Sequence, residues 1–294
     1  MLISHAMKSD FLQRFLFENS PIRGERVHVD LSLRTILENH DYPPLLRSIM
    51  GELCCAAVLL AATLKLEGSL VLQIQGKGAI RLLVVECSGD LALRATAKWE
   101  GELEGSLADL VGEGRFVITL DQKEGPAYQG IVALEGESVA EILQNYMIRS
   151  EQLETRIWLA SEGNSASGLL LQKLPEGVSA DEDAWNRVTY LAATMSRDEL
   201  MNLSTERLLH RLYHEEDVRL FEDQPVYFRC SCSREKVAGM LKMLGREEVE
   251  SVLEERQTVE VHCEFCNRKY EFDSVDAAQL FSESVPVAAS TKRH

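Results

Sequence analysis

The spacing of hydrophobic and polar positions changes several times along the chain, and each change marks an element. From Pro43–Pro44 the stretch PPLLRSIMGELCCAAVLLAATLKLEG reads as one long helix ended by Gly68. Its most apolar run, LCCAAVLLAATL (53–64), has 12 residues between Glu52 and Lys65. That is too short to span a bilayer and suits a buried helix. Alternating, strand-like runs follow at SLVLQIQ (69–75), AIRLLVVE (79–86), LALRATAKW (91–99), RFVITLDQ (115–122) and YQGIVALE (128–135). Gly-containing turns such as QGKG and SGD separate them. A helix near SVAEILQNYMIRS (138–150) precedes two more strands, TRIWLASE (155–162) and SGLLLQKLP (167–175). Strands in succession, without strand–helix–strand alternation, predict an α+β domain built from antiparallel meanders.

Pro175-Glu-Gly177 marks a boundary, and the pattern predicts three segments: 1–178, a helical linker over 179–229, and a small unit over 230–294. In the linker Trp185, Val188, Ala192 and Met195 fall on a helical stripe, and Leu208, Leu209 and Leu212 form another. Ser196 with Glu199 fits a capping box between them. Helices this short are marginal alone, so the linker is expected to pack on a neighbour. Beyond it, SREKVAGMLKML and REEVESVLEE read as helices parted by Gly245, and TVEVH and RKYEF as strands around the turn CEFC. SVDAAQLF (274–281) reads as a short helix, and the tail SESVPVAASTKRH is expected to be disordered.

Composition adds limits. The 294 residues are 45% hydrophobic and 27% charged, ordinary for a soluble globular chain. The net charge is −16, with −8 in residues 1–178 and −8 in 179–294. Phosphate binding needs clustered Lys and Arg, so a nucleic-acid surface is disfavoured. No secretory signal is recognisable in MLISHAMKSDFLQRFLFEN, and no membrane span is expected. In a reducing cytosol, seven cysteines are expected as thiols.

Four of those cysteines carry the chemistry. Cys230 and Cys232 lie one residue apart, on one side of an extended segment, and thirty residues later Cys263 and Cys266 flank a turn. Two such pairs make a closed four-thiolate site for one Zn2+ or a similar thiophilic ion, structural because no position stays open. A unit this small has little core, so the metal's contribution of about 10–16 kcal/mol is folding energy. The same thiolates are what oxidants attack, so the site can also serve as a redox trigger. A thioredoxin-type reading fails because CEFC runs into NRKYEF, which lacks helix signals. A nucleic-acid-binding zinc ribbon is the alternative from the residues alone, opposed by the charge. Cys54 and Cys55 read as packing residues, and nothing marks Cys87 as activated. His210 and His214 stand at i,i+4 but lack a metalloprotease glutamate, and His262 is turned from the cysteines by strand alternation. There is no P-loop or G-x-G-x-x-G, so neither ATP nor a dinucleotide is implied.

C-x-C followed by C-x-x-C at the end of a chain of this size resembles the redox-regulated chaperones of the heat shock protein 33 family. RFLFEN (14–19), ENHDYP (38–43), YQGIVALEG (128–136), SEQLETR (150–156), RLYHEE (211–216) and FRCSCSRE (228–235) are similar to family sequence as well. The resemblance implies an ATP-independent holdase of the bacterial cytosol, not an enzyme, with an N-terminal α/β domain for substrate binding and dimerisation. Its reduced form would hold zinc through Cys230, Cys232, Cys263 and Cys266 and be inactive. Oxidation would form disulfides Cys230–Cys232 and Cys263–Cys266, release zinc and unfold the switch unit and linker. The oxidised protein would dimerise and bind unfolding client proteins. Trp185, Val188, Leu191, Met195, Leu208 and Leu212 are then the candidate client surface, since an opened apolar patch is what a holdase needs.

Overall fold

The computed structural model describes residues 10–282 apart from 65, 123, 124, 176–180 and 182. The expected disordered tail lies outside the described residues except Ser282, and the 178/179 boundary lies outside them too. The chain forms two compact units, Met1–Arg229 and Cys230–His294.

The first unit is mixed α and β, with sheets that are almost wholly antiparallel. It opens with strands β1 (Phe11–Phe17) and β2 (Ile22–Val29), a hairpin absent from the sequence reading. The reason is physical. Strand β2, IRGERVHV, is buried on both faces although it carries charge. Glu25 is 2% exposed, 3.4 Å from Arg14 and 3.2 Å from the Thr63 hydroxyl, which donates to it. Arg26 is fully buried. These charges find partners far along the chain, so local hydropathy misses the strand. Gly24 is required opposite Phe15: a Cβ there would lie 2.0 Å from the ring.

After α1 (Leu31–Leu37) comes α2 (Pro44–Leu64), 21 residues long. This corrects the length argument: the helix is long and apolar enough to cross a membrane, but 78% of its apolar window is buried inside the protein. Nor does Gly68 end the helix. It stands beside β3, where a Cβ would lie 1.7 Å from the Asp121 carbonyl oxygen.

The next elements are β3 (Ser69–Gly76), β4 (Ile80–Ser88), β5 (Ala92–Trp99), α3 (Leu107–Val111), β6 (Gly114–Asp121), β7 (Tyr128–Val132), α4 (Val139–Arg149), β8 (Thr155–Glu162) and β9 (Ser165–Lys173). Strands β3–β4–β5 form the meander the alternation predicts, and β6–β7 join it through β3. Strands β1, β2, β9 and β8 form the second sheet. Helix α2 lies in one core with both: Leu53, Val58 and Leu59 cluster with Leu72, Leu83 and Val85 and with Leu12, Val27 and Leu170.

The other face of the β1–β2–β9–β8 sheet is covered by α5 (Ala184–Ala193), α6 (Arg197–Asn202) and α7 (Thr205–Tyr213). Alternation along the strands puts Phe15, Phe17, Ile22, Leu169 and Leu171 on that face. The Ser196–Glu199 capping box is formed. The segment after Tyr213 departs from the helical reading of 179–229: β10 (Val218–Leu220), β11 (Gln224–Pro225) and β12 (Tyr227–Phe228) add short edges to the sheets. Strands β10 and β11 pair antiparallel with β1, and β12 pairs parallel with β5. Strands of two or three residues are too short to show a period.

The second unit holds α8 (Arg234–Leu244), α9 (Arg246–Arg256), the hairpin β13 (Val259–His262) and β14 (Lys269–Phe272), and α10 (Ser274–Ser282). Its core is small: Leu241, Val249, Val259, Tyr270, Phe272 and Ala277 are its buried members.

Candidate metal centre and the docked helices

Two local structures aim the four thiols. The β13–β14 hairpin carries Cys263 and Cys266 on its turn, closed by Asn267 N–H to the Cys263 carbonyl at 2.7 Å and Cys263 N–H to the Arg268 carbonyl at 3.0 Å. Asn267 sits at φ 52°, a left-handed conformation that Asn tolerates, which lets the chain reverse in so few residues. Cys230 and Cys232 lie on the extended segment entering α8, whose N-cap is the adjacent Ser233, accepting from Lys236 N–H at 3.3 Å. Arg234 then fastens α8 to the hairpin: it donates to the Glu271 carbonyl and to Asp276, both at 2.7 Å, and lies 4.2 Å over the Phe272 ring.

As a result the four Sγ atoms lie within 4.8 Å of one another, all half-buried. The short contacts are Cys230–Cys263 at 3.6 Å and Cys232–Cys266 at 3.4 Å. Zn–S bonds of about 2.3 Å in a tetrahedron imply S···S edges of about 3.8 Å, so the spacing fits a four-thiolate metal. In a tetrahedron all six edges are alike, so these contacts favour no disulfide pairing. The electrostatics fit a cation as well. Burial opposes ionisation of Cys232, but hydrogen bonds from Tyr270 and the neighbouring thiols outweigh it and bring the thiol down to about 7. Burial, together with the other three sulfurs, pushes Cys266 up to about 12. Without a cation the set resists full ionisation; a dication removes the repulsion.

Among the described residues, these cysteines are the group of three or more His, Cys, Asp or Glu side chains able to hold a metal. The other thiols are buried: desolvation raises Cys54 and Cys55 and pushes Cys87 up to about 12, which makes them inert. His210 and His214 meet edge-on 6.1 Å apart, exposed at the C-terminal end of α7. His262 is exposed and bonds Asn267 Oδ1 at 3.3 Å, away from the thiols.

The candidate client residues occupy the docked helices. Val188, Leu208 and Leu212 are buried, and Trp185, Leu191 and Met195 half-buried, against the sheet face of Phe15, Phe17 and Leu169. The Tyr213 hydroxyl donates to the Val188 carbonyl at 3.1 Å, and Arg187 bridges to Glu216 at 2.6 Å.

Two contacts escaped the sequence reading. The guanidinium of Arg26 rises from the sheet to the α6–α7 junction, donating to the Leu200 carbonyl at 3.1 Å, to Thr205 Oγ1 at 3.2 Å and to the Leu203 carbonyl. Burial lowers its pKa to about 10, against the opposing negative charge of Glu206. In the second unit, the Tyr270 hydroxyl donates to Cys232 Sγ at 3.1 Å. The only sequence signal for Tyr270 was its inward position in the alternating KYEF strand.

The family described as Hsp33 protein matches residues 10–273. The 33 kDa chaperonin of Methylobacillus flagellatus is 56% identical over 290 residues, covering 97% of this chain and 99% of that protein. The 33 kDa chaperonin of Chromobacterium violaceum is 50% identical over 289 residues, covering 97% and 98%. Among solved structures, the 33 kDa chaperonin (heat shock protein 33 homolog) of Thermotoga maritima superposes with a TM-score of 0.80 over 93% of this chain and 98% of that one. At 19% identity that likeness speaks for the fold alone.

Proposed function

The chain belongs to the Hsp33 family, and on that premise we propose that it is an ATP-independent holdase of the bacterial cytosol, switched on by oxidation. It acts as a binding protein for unfolding clients, not as an enzyme. The observation that carries the reading is the closed set of four thiols, whose neighbours in sequence cover an apolar sheet face.

In the reduced state Cys230, Cys232, Cys263 and Cys266 would hold one zinc ion. Zinc, when bound, cross-links the C-x-C segment to the hairpin and supplies the stability that so small a core lacks. One sulfur of a pair attacks peroxide, breaking its O–O bond, and becomes a sulfenic acid while one water is released. The second thiol of the pair attacks that sulfur, forming the disulfide and a second water. The pairs so joined are Cys230–Cys232 and Cys263–Cys266, at a cost of one peroxide each. A disulfide no longer ligates as two thiolates do, so the second unit loses its staple and unfolds.

Chain continuity carries the change onward. Cys230 directly follows Arg229, whose N–H bonds the Leu93 carbonyl at 3.2 Å next to β12. Arg229 also pairs with Asp90 at 2.9 Å. Loosening this strap frees β10–β12, and with them the helices 184–213. Their release exposes Trp185, Val188, Leu191, Met195, Leu208 and Leu212 together with the face of Phe15, Phe17 and Leu171. Each fully buried side chain of this kind is worth about 1.5–3 kcal/mol of apolar burial, which an unfolding client can supply in their place. The acidic charge keeps the opened form soluble, and the exposed face also serves homodimerisation.

The test is suppression of aggregation of a heat-unfolded client, followed by light scattering, with reduced zinc-loaded and peroxide-treated protein side by side. Activity is expected only in the oxidised sample. Equal suppression in both would exclude a redox switch.

A further inference from the structure

The sulfurs of the four-thiol site do not receive the same donors. Cys230 Sγ lies 3.6 Å from Cys263 Sγ, and Cys266 Sγ 3.4 Å from Cys232 Sγ. Cys232 also takes a side-chain hydroxyl, Tyr270 Oη at 3.1 Å. The Tyr270 ring is locked in the small core with Leu241 and Phe272, so its oxygen is held in place. The positive charge of Arg268 acts on the same hydroxyl. A cation acting on Oη makes the hydroxyl a better donor to the sulfur.

We propose that Tyr270 is a positioning residue of the metal centre: its hydroxyl fixes Cys232 Sγ, tightens the site's hold on its metal, and slows attack of that sulfur on peroxide. The proposal rests on the metal-holding reading of the cysteines. Four thiolates around a dication leave an excess of negative charge, and a fixed donor disperses it. The same hydrogen bond draws electron density from the sulfur that must displace hydroxide from peroxide. In that step an S–O bond forms, the O–O bond breaks, sulfur gives up two electrons, and a solvent proton turns the hydroxide into water. The Cys230 thiol then closes the S–S bond and the second oxygen leaves as water. Losing the Tyr270 hydroxyl therefore speeds oxidation and weakens metal binding together.

The experiment uses the full-length reduced chain loaded with Co2+ or Zn2+, with Tyr270→Phe, which keeps the ring, and Arg268→Met, which keeps both ring and hydroxyl. For Tyr270→Phe the sulfur-to-cobalt charge-transfer band is expected at longer wavelength, because an undonated sulfur gives up charge more easily. Competition with a chelator should show affinity about 10- to 100-fold weaker, the usual effect of losing such an outer partner. Mass spectrometry should find the Cys232 peptide oxidised faster by peroxide. Arg268→Met should move the band the same way by less, and it decides the matter if Tyr270→Phe does not fold. An unchanged band, affinity and oxidation rate in Tyr270→Phe would overturn the role of Tyr270 while leaving the metal site standing. A wild-type chain that shows no tetrahedral thiolate spectrum with Co2+ would overturn the metal site and this proposal with it.

Discussion

Leu208→Ala isolates the docking of the helices from the chemistry of the thiols. Leu208 is fully buried in the cluster between α7 and the sheet face of Phe15, Phe17 and Leu169, and it lies outside the cysteine unit. Truncating a buried leucine costs about 2–5 kcal/mol, and the loss falls on the docked state because the free helices bury little. At tenfold per about 1.4 kcal/mol, the docked-to-undocked ratio falls by roughly 30-fold to several thousand-fold. In the reduced, zinc-loaded variant, amide exchange across residues 184–213 is expected to speed by a similar factor, while exchange in the β3–β7 strands stays slow. The same sample should hold back client aggregation without any oxidant, with its zinc content unchanged. Faster exchange in 184–213 with no gain in client binding would refute the reasoning that undocking opens the client surface.

Other perturbations read other parts of the account. Gly24→Ala drives a methyl into the Phe15 ring and is expected to destabilise the first unit by about 1–3 kcal/mol, measured as a lower denaturant midpoint. Arg26→Met removes three hydrogen bonds to residues 200–205 and should accelerate exchange there while β3–β7 are unaffected. Burial holds Glu25 up at about 7 against the attraction of Arg14, above its unfolded value, so its contribution is present at low pH and fades as pH rises from about 4.5 through 7. Denaturation at pH 5.5 and pH 8 should show wild type losing more stability across that interval than Glu25→Gln, by about 2 kcal/mol; equal losses would refute the assignment. Cys263→Ser leaves three thiolates and should abolish tight zinc binding, with loss of helical circular dichroism from residues 234–282.

The legible parts of the chain were those whose partners are near in sequence. Strands β3 to β9 and helices α4, α8 and α9 carry clean periods, and the reading placed them within a few residues. The convergence of Cys230, Cys232, Cys263 and Cys266 was legible because each pair's spacing already encodes where two sulfurs point. What stayed hidden depends on distant partners. Strand β2 looks too charged to be buried until Thr63 and the 200–205 junction are brought to Glu25 and Arg26. The bond from Tyr270 to Cys232 joins residues 38 apart, beyond any spacing rule. Strands β10–β12 exist only because β1 and β5 offer edges, so a chain read as helical through residue 229 turns extended after Tyr213.

The central claim is an order of events: thiol oxidation, then metal loss, then release of the helices, then client binding. One time course tests it. Reduced protein is treated with peroxide at mild heat, and zinc release to a chromogenic chelator, amide exchange in residues 184–213 and aggregation suppression are followed on the same sample. The account predicts about one zinc released per chain, with exchange and client protection rising no earlier than the metal is lost. Client protection that reaches its full level while the zinc remains bound would contradict it.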